Sequence, residues 1–213
     1  RTKGVRGASA LMVEKSDPGI SFGKKEKKMG IRASTTREVI LEDCRIPKDR
    51  LLSKEGMGFI ITMKTLDLAR PGAGALAVGL AQSALDEAAA FAKERHQFGA
   101  PIFSFQAVQH LLADIATNVE AARALVYSVA RHIDSKPKDY SKEGAMAKLF
   151  ATDMAMKATV DAVQVMGGHG YMREYPVEKM MRDAKILQIY EGTNQIMRNV
   201  IGLALNKEYS KKK

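Results

Sequence analysis

The sequence predicts a mainly α-helical protein, in which an up-and-down four-helix bundle follows a few strands from a β-domain. Three observations lead to this prediction. From about residue 56 onward, apolar residues recur at steps of three and four, the period of a helix that buries one face. The links between these segments are short, so successive helices run antiparallel. Before residue 50, the apolar runs are short, β-branched and bounded by turn residues, as in strands.

The composition is that of an ordinary globular protein. The 213 residues are 46% hydrophobic and 27% charged, enough to bury a sizeable core. No apolar run is long enough to span a membrane, and the first residues lack the apolar core of a signal peptide. Cys44, the single cysteine, excludes an intrachain disulfide and fits a reducing compartment. Because the chain lacks an initiator methionine and begins near a strand, we expect a piece of a longer protein.

The net charge of +10 would suit an anionic partner. Much of this charge lies in two runs, Lys24–Lys28 and Lys211–Lys213, which a solvated loop and a tail explain more simply. Aromatic residues do not alternate with these lysines as single-stranded nucleic acid would require. The sequence therefore favours neither a nucleic-acid partner nor a membrane. A basic, nucleic-acid-binding bundle stays an alternative that rests on net charge alone.

The first 50 residues indicate strands and turns. Ala8–Glu14 is a short apolar run, and Asp17-Pro18-Gly19 is a strong turn signal. Ile20-Ser21-Phe22 alternates, Glu38–Glu42 is a β-branched run, and Pro47 closes the region. Two to four strands are too few for an independent sheet, so we expect the end of a β-domain whose start is missing.

The remaining residues predict five helices. These cover Phe59 to about Arg95, Phe105–Asp134, Ser141 to about Met166, Pro176 to about Lys185, and Thr193 toward Asn206. Pro71 predicts a kink or local break in the first helix, and residues 96–101 form a connector. Ser141 and Thr193 are candidate N-caps. The predicted domains are residues 1–54, the incomplete β-domain, and residues 55–213, the helical bundle.

Several common chemistries lack their sequence patterns. There is neither a GxGxxG after a strand nor a GxxxxGK[ST], so the two usual nucleotide-binding loops are not supported. The four histidines show no metal-ligand spacing with cysteine or with one another, and no metal site is predicted. For His169, in a glycine turn, a loop residue that tolerates an unusual backbone is the simpler interpretation.

Two segments could hold a ligand. In Arg95-x-x-Phe98-Gly99, an arginine near a helix end stands beside an aromatic residue and a turn glycine, a pattern that can grip a phosphate and cover a planar ring. In Gln164–Gly168, paired glycines let the backbone approach a ligand closely. Plain structural explanations also exist, because an arginine complements a helix dipole and glycines end helices.

A third segment, Glu191-Gly192-Thr193, could supply a base. Apolar neighbours such as Tyr190 favour a neutral carboxyl group, whereas the start of a helix favours a charged one. That opposition can make a carboxylate a general base working near neutral pH. An ordinary exposed acid at a helix start also explains Glu191, and the local sequence leaves both interpretations open.

A longer pattern links these segments. It runs from Gln164 through Gly167-Gly168-x-Gly170-Tyr171-x-x-Glu174 to Lys179 and Asp183. Together with Tyr190–Thr193, Arg95-x-x-Phe98-Gly99, and Met29–Arg32 with Pro47, it resembles the acyl-CoA dehydrogenase family. The resemblance covers essentially all 213 residues and is nearest to short- and medium-chain, butyryl-CoA dehydrogenase-like members.

The resemblance implies a larger architecture and a reaction. Family members have an N-terminal helical domain, a β-barrel middle domain and a C-terminal four-helix bundle, and this chain resembles the last part of the middle domain plus the bundle. The implied activity is FAD-dependent α,β-dehydrogenation of a short- to medium-chain acyl-CoA, as in β-oxidation. The implied partners are electron-transfer flavoprotein and further copies of the chain in a homotetramer or homodimer. The expected location is the cytoplasm of a bacterium or the mitochondrial matrix of a eukaryote.

The resemblance also implies roles for individual residues. Glu191 matches the base that removes the substrate α-proton, and its backbone N–H helps to hold the thioester oxygen. A second solution in the family places the base at the position of Ala69, which has no carboxylate here. Asp67, Arg70 and Gly192 match substrate contacts. The matched FAD contacts, several of them to the flavin of a neighbouring subunit, are Arg95, Phe98, Gln106, Gln164, Val165, Met166, Gly167, Gly168, Thr193 and Gln195.

Two other functions remain open on the sequence. An acyl-CoA oxidase of the same fold differs in how the reduced flavin meets oxygen. A helical oligomerisation module would have no activity of its own. Because the resemblance leaves half of the flavin pocket outside these residues, we expect the chain by itself to be inactive.

Overall fold

The computed structural model describes residues 4–210, so the basic run Lys211–Lys213 lies outside the described residues. It confirms the mainly α-helical class. The helices are α1 Gly58–Glu94, α2 Gln106–Asp134, α3 Ser141–Met166, α4 Val177–Leu187 and α5 Asn194–Ser210. The strands are β1 Ile20–Phe22, β2 Val39–Leu41, β3 His96–Gln97 and β4 Ala100–Pro101. No helix within residues 4–210 is both long and apolar enough to cross a membrane.

The chain forms two compact units that divide after Leu66, inside α1. In the first, β1 and β2 pair antiparallel, with Ile20 opposite Leu41. The strand predicted at Ala8–Glu14 is wrong, because this run makes only an isolated bridge between Leu11 and Leu51. Its partner segment turns into a 3₁₀ helix at Lys48–Arg50, so the ladder cannot extend.

The second unit is built around α3. Most of its buried residues are small, and they let α2, α4 and α5 pack closely against it: Ala145, Ala147, Ala151, Ala155, Ala158 and Ala162. Larger residues of α2, including Ile115 and Val119, complete the core with Ala77 and Val78 of α1. The stripe of apolar residues predicted for α2 is confirmed as its buried face.

Helix α1 runs without interruption through Pro71, so the predicted break is wrong. Proline has no N–H, which leaves the Asp67 carbonyl oxygen without its usual helical donor. Gly144 of α3 packs against this site: a Cβ built on Gly144 would lie 3.2 Å from the Asp67 carbonyl oxygen. Glycine at position 144 therefore permits α3 to approach α1 closely at the point where the helical hydrogen bonding of α1 is interrupted.

The helix ends agree with the sequence in part. Thr193 caps α5 as predicted, because its hydroxyl accepts from the Ile196 N–H at 3.3 Å. The capping role predicted for Ser141 is wrong, since Tyr140 holds the N-cap position of α3. The Ser141 hydroxyl instead donates to Asp67 Oδ1 at 2.9 Å and ties α3 to α1.

The crossing of α1 with α2 and α3 predicts opposite effects at two glycines. At Gly74, an added Cβ would lie 3.0 Å from Val126 Cγ2 and 3.3 Å from the Ala147 carbonyl oxygen, whereas at Gly79 it would meet nothing within 4 Å. Gly74→Ala should therefore destabilise the protein by about 1–3 kcal/mol. Gly79→Ala should stabilise it by up to about 1 kcal/mol through helix propensity. Urea unfolding measures both, and a stabilised Gly74→Ala would contradict this packing.

Candidate active site

The turn between α4 and α5, residues 188–193, carries the predicted base. Glu191 has a φ of 57° and Gly192 a φ of 93°, so two successive residues adopt the left-handed backbone. Glycine accepts this conformation freely, but for Glu191 it costs roughly 1–2 kcal/mol. The Asn194 N–H closes the turn by donating to the Gln188 carbonyl oxygen at 3.0 Å. Costly backbone of this kind clusters at functional sites.

The Glu191 side chain has one oxygen that is free to accept a hydrogen bond. Its Oε2 atom is buried, and no residue in the described part of the chain donates a hydrogen bond to it. A buried acceptor left in this state costs about 1–3 kcal/mol. Burial and the adjacent charge of Glu191 raise the pKa of the Tyr190 phenol. The turn thus holds an acceptor oxygen that a bound molecule could use.

Arg70 reaches the same turn from α1. It is 1% exposed and forms an ion pair with Asp67, so its charge faces the protein interior rather than solvent. A Cβ built on Gly192 would lie 4.0 Å from Arg70 Nη2 and 2.7 Å from Met197 Cε. Glycine therefore permits the close contact between the turn, α1 and α5. The three predicted substrate contacts, Asp67, Arg70 and Gly192, lie together beside Glu191.

Lys148 approaches the turn from α3. Its side chain is fully buried, and its ammonium group donates to the Gly192 carbonyl oxygen and to Asn194 Oδ1, each at 2.7 Å. Burial lowers the pKa of Lys148 to about 8; the positive charge of Arg70 acts in the same direction, while Asp153 and Glu191 oppose it. Two buried cations, one from α1 and one from α3, therefore flank the turn.

Asn194, the first residue of α5, joins this lysine to an acid. Its Nδ2 donates to Thr152 Oγ1 at 2.9 Å and to Asp153 Oδ1 at 2.6 Å. Asp153 also accepts from Gln188 Nε2 at 2.7 Å and from Arg198 Nη2 at 2.8 Å. Burial acts to raise the pKa of Asp153, but these hydrogen bonds outweigh it, so the pKa lies below its usual value.

A second group of predicted site residues lies around the link between α1 and α2. The predicted connector is a tight hairpin of β3 and β4, in which Phe98 has a φ of 53° and Gly99 a φ of 80°, as in a type I′ turn. Phe98 is 95% exposed, and its ring makes an edge-to-face contact with Phe105, at 6.1 Å between ring centroids. Arg95 and Gln106, both exposed, flank it.

The end of α3 completes this second group. Gln164, Gly167 and Gly168 are exposed, whereas Val165 and Met166 are buried in the core. Gly167 ends the helix with a φ of 56°, and a Cβ on either glycine would meet nothing within 4 Å. A ligand here would meet backbone and the Gln164 amide rather than the two buried side chains.

The predicted residues thus form two clusters at opposite ends of α3. The carboxylate end comprises the turn with Glu191, Arg70 and Lys148, and Thr193 and Gln195 adjoin it. The hairpin end comprises Arg95, Phe98, Gln106 and residues 164–168. Lys148 and Met166 are 18 residues apart in one helix, which corresponds to about 27 Å.

His169 packs as an aromatic residue. Its ring lies 5.3 Å from Phe91 and 5.5 Å from Tyr175, centroid to centroid, and caps the core next to the hairpin end. Among residues 4–210, no group of three or more His, Cys, Asp or Glu side chains is arranged to hold a metal ion.

Sequence reasoning missed Lys148, Asn194 and Asp153. One signal was available for the lysine. The residues three and four positions away from Lys148, which share its helix face, all have small side chains: Gly144, Ala145, Ala151 and Thr152. A lysine on such a face, which is suited to close helix packing, is exceptional. Asn194 and Asp153 gave no such signal, because their importance comes from contacts between α3 and α5.

Comparison with known proteins gives a consistent result. A sequence model described as acyl-CoA dehydrogenase, C-terminal domain, matches residues 56–205. A probable acyl-CoA dehydrogenase of Mycobacterium tuberculosis is 53% identical over 203 residues, covering 95% of this chain and 52% of that protein. Acryloyl-CoA reductase (NADH) of Anaerotignum propionicum is 51% identical over 199 residues, covering 93% and 50%. The chain spans about half the length of the curated relatives it matches.

Solved structures share the fold. Butyryl-CoA dehydrogenase of Megasphaera elsdenii matches with a TM-score of 0.94 and 46% identity, over 96% of this chain and 53% of that one. A chain from a study of the electron transferring flavoprotein of Acidaminococcus fermentans gives 0.92 and 55%, over 95% and 53%. An acyl-CoA dehydrogenase of Bacillus anthracis, complexed with FAD, gives 0.90 and 35%, over 96% and 38%.

The Asp153 network predicts an acid-dependent contribution to stability. Asp153→Asn should lower the free energy of unfolding at pH 7 by roughly 1–2 kcal/mol, since it removes a charged acceptor from three donors. Because folding lowers the pKa of this carboxyl from 3.8, its contribution is complete above that pH and disappears as the pH falls through the lower folded value. The difference in the free energy of unfolding between wild type and Asp153→Asn should therefore disappear at acid pH.

Urea unfolding at a series of pH values measures this difference. Asp161→Asn is the matched control, because Asp161 lies on the same helix but pairs with the exposed Lys157. It should change stability by less than about 1 kcal/mol. An Asp153→Asn deficit that stays constant into acid would contradict the assignment.

Proposed function

Because the chain belongs to the acyl-CoA dehydrogenase family, we propose that it supplies the catalytic base for FAD-dependent α,β-dehydrogenation of an acyl-CoA thioester. The reaction removes a proton from the α-carbon and a hydride from the β-carbon, leaving an enoyl-CoA. We infer a short- to medium-chain acyl group, which the likeness to butyryl-CoA dehydrogenase supports. We propose this activity for the whole protein, because this chain spans only about half the length of the relative from Mycobacterium tuberculosis.

One observation carries the proposal: a buried carboxylate oxygen without a described donor, on a left-handed turn between two buried cations. A carboxylate with a purely structural role has its acceptor sites filled, as Asp153 shows nearby. Glu191 instead keeps an acceptor open at the expense of both side-chain and backbone stability. That combination is what a base waiting for a substrate proton requires.

The residues of the turn divide the work. The Glu191 carboxylate takes the α-proton, and its backbone N–H donates to the thioester oxygen, where negative charge develops. Arg70 and Lys148 place positive charge beside Glu191. Substrate binding would exclude water from the turn, which makes the carboxylate a stronger base. Asp67 fixes Arg70, and we propose that both also contact the substrate.

The exposed groups at the hairpin end fit a flavin nucleotide. Arg95 offers a guanidinium group for a phosphate, Phe98 offers a solvent-exposed ring, and Gly167 and Gly168 offer unobstructed backbone. Thr193 and Gln195 offer a hydroxyl and an amide near the base. When bound, FAD supplies the acceptor for the β-hydride. A related structure is described as complexed with FAD.

The separation of the two clusters supports an assembly of several copies. We propose that the hairpin end contributes to the FAD of a neighbouring subunit while Thr193 and Gln195 contact the chain's own FAD. About 27 Å of helix lies between the two clusters, which suits two sites better than one. The proposed assembly is a homotetramer or homodimer. Residues 1–54 and 55–213 are the proposed domains.

The proposed electron acceptor is an electron-transfer flavoprotein, supported by the 55% identical chain from a study of such a protein. A second candidate is the reverse reaction, which the relative named acryloyl-CoA reductase (NADH) favours. Dye reduction by an acyl-CoA, NADH oxidation with an enoyl-CoA, and oxygen consumption distinguish dehydrogenase, reductase and oxidase. If the whole protein showed none of the three activities, the remaining hypothesis would be that this chain is an oligomerisation module without an activity of its own.

Replacing the base tests the proposal directly. Glu191→Gln keeps the size of the side chain but cannot accept the α-proton. In the whole protein, flavin reduction by an acyl-CoA should fall by at least about 1,000-fold. Stopped-flow absorbance of the flavin measures the rate, and a substrate series from short to medium chains identifies the preferred acyl group.

Glu87→Gln is the matched control, because Glu87 is exposed on α1 and lies outside both clusters. Its rate should equal that of wild type. Acyl-CoA should still bind to Glu191→Gln, since the substitution removes proton transfer rather than a substrate contact of the chain. Flavin reduction at the wild-type rate in Glu191→Gln would remove the base from this position.

A further inference from the structure

Lys148 has no direct task in the proposed reaction, yet it is fully buried beside the reacting turn. Burying an ammonium group costs several kcal/mol unless it is paired and hydrogen-bonded. An apolar side chain of similar length would fill the same space in α3 without that cost. The contacts made by the ammonium group therefore indicate what the lysine contributes.

Both contacts are made to the turn and to the start of α5. One N–H donates to the Gly192 carbonyl oxygen at 2.7 Å, and another donates to Asn194 Oδ1 at 2.7 Å. Gly192 directly follows Glu191, so the first contact fixes the peptide next to the base. The second fixes the residue whose N–H closes the turn onto the Gln188 carbonyl oxygen.

The Asn194 amide can make its contacts in only one orientation. Its oxygen faces the Lys148 ammonium group, and its NH₂ faces Asp153 Oδ1 at 2.6 Å. The opposite orientation would place NH₂ against an ammonium group and an oxygen against a carboxylate. Lys148 and Asp153 therefore lock the amide from both sides.

Charged groups from every neighbouring element face Lys148. Glu191 comes from the turn, Asp153 from α3 itself, and Arg70, paired with Asp67, from α1. From α5, Arg198 neutralises part of the Asp153 charge. Arg70 repels Lys148, while the two acids attract it. The positive charge of Lys148 in turn stabilises negative charge on Glu191.

We propose that Lys148 is a positioning residue for Glu191: its ammonium group holds the Gly192 carbonyl and the Asn194 amide, and thereby fixes the turn that presents the carboxylate. This inference rests on the proposed role of Glu191 as base. The lysine contributes in two separable ways, through hydrogen bonds that fix geometry and through a charge that favours the ionised base.

Two substitutions separate these contributions. Lys148→Met keeps a linear side chain but removes both donors and the charge. Lys148→Gln also removes the charge and shortens the side chain by one atom, but it keeps an N–H donor. The whole protein is examined by hydrogen exchange of peptides that cover residues 188–196, and by flavin reduction at saturating acyl-CoA across a pH series. Lys157→Met is the control, because Lys157 is an exposed lysine of the same helix.

In Lys148→Met, amide exchange in the turn should accelerate at least about tenfold through loss of the Gly192 contact. Flavin reduction should slow by about 100-fold, with a smaller change in acyl-CoA affinity, because a displaced base loses rate before binding. In both variants, the acid limb of the pH profile should move to higher pH. Lys148→Gln should keep slow exchange in the turn, and Lys157→Met should match wild type throughout.

The inference is overturned if Lys148→Met keeps wild-type exchange and the wild-type pH profile. It is also overturned if the Lys148→Met flavin-reduction rate falls only as much as the fraction of folded, flavin-loaded protein falls, and its pH profile equals that of wild type. Should the methionine variant not fold, the pH profile of Lys148→Gln is the test: a profile equal to that of wild type would overturn the inference. Glu191→Gln in the same assay separates the two hypotheses. An active Glu191→Gln variant would refute the role of Glu191 as base. An inactive Glu191→Gln together with an unaffected Lys148→Met would refute only the role of Lys148.

Discussion

The contact between the Lys148 ammonium group and the Gly192 carbonyl oxygen joins the centre of the bundle to the turn that carries Glu191. Helix α3 supplies the lysine, and the turn between α4 and α5 supplies the carbonyl. Arg70 of α1 closes the turn from the other side. Because Glu191 and Gly192 both adopt left-handed backbone, the turn depends on such external contacts to keep its shape. Four helices thereby determine where one carboxylate points.

The packing of α3 makes this contact possible. Its buried alanines bring α2, α4 and α5 close together, and Lys148 lies among them with no exposed surface. The same packing makes the lysine expensive, and only the surrounding polar groups offset that cost. Asn194, Thr152 and Asp153 form one connected network in which donors meet acceptors. Such a network tolerates little change, because removing one member leaves the others buried and unpaired.

The periodicity of apolar residues predicted the helices well, because a helix that buries one face has apolar residues at regular local spacings. The stripe on α2 and the glycine end of α3 are local features, and both are confirmed. The errors arose where distant segments decide the outcome. Pro71 lies inside an unbroken α1 at the point where Gly144 of α3 packs closely against it. The Ser141 hydroxyl donates to Asp67 of α1 instead of capping α3.

The same reasoning separates what could be known about the site. The local sequence around Glu191, an apolar run and a capping threonine, made it a candidate base but also fitted an ordinary exposed acid. The family resemblance favoured the base. Lys148 and Asn194 are 46 residues apart, and only the packing of α3 against α5 brings them together. A sequence pattern can reveal a residue whose environment is formed by its neighbours in the sequence. Contacts across the bundle require the fold.

The two clusters differ in chemistry as well as in place. The hairpin end offers exposed groups, namely a guanidinium, an aromatic ring and bare backbone, while the carboxylate end holds two buried cations beside Glu191. About 27 Å of helix α3 separates them, so one compact ligand cannot touch both on the same chain. The hairpin end has no carboxylate like Glu191, and the carboxylate end has few exposed groups that a ligand could contact. This division is the reason for proposing a homotetramer or homodimer, in which the two ends of neighbouring copies would together form one site.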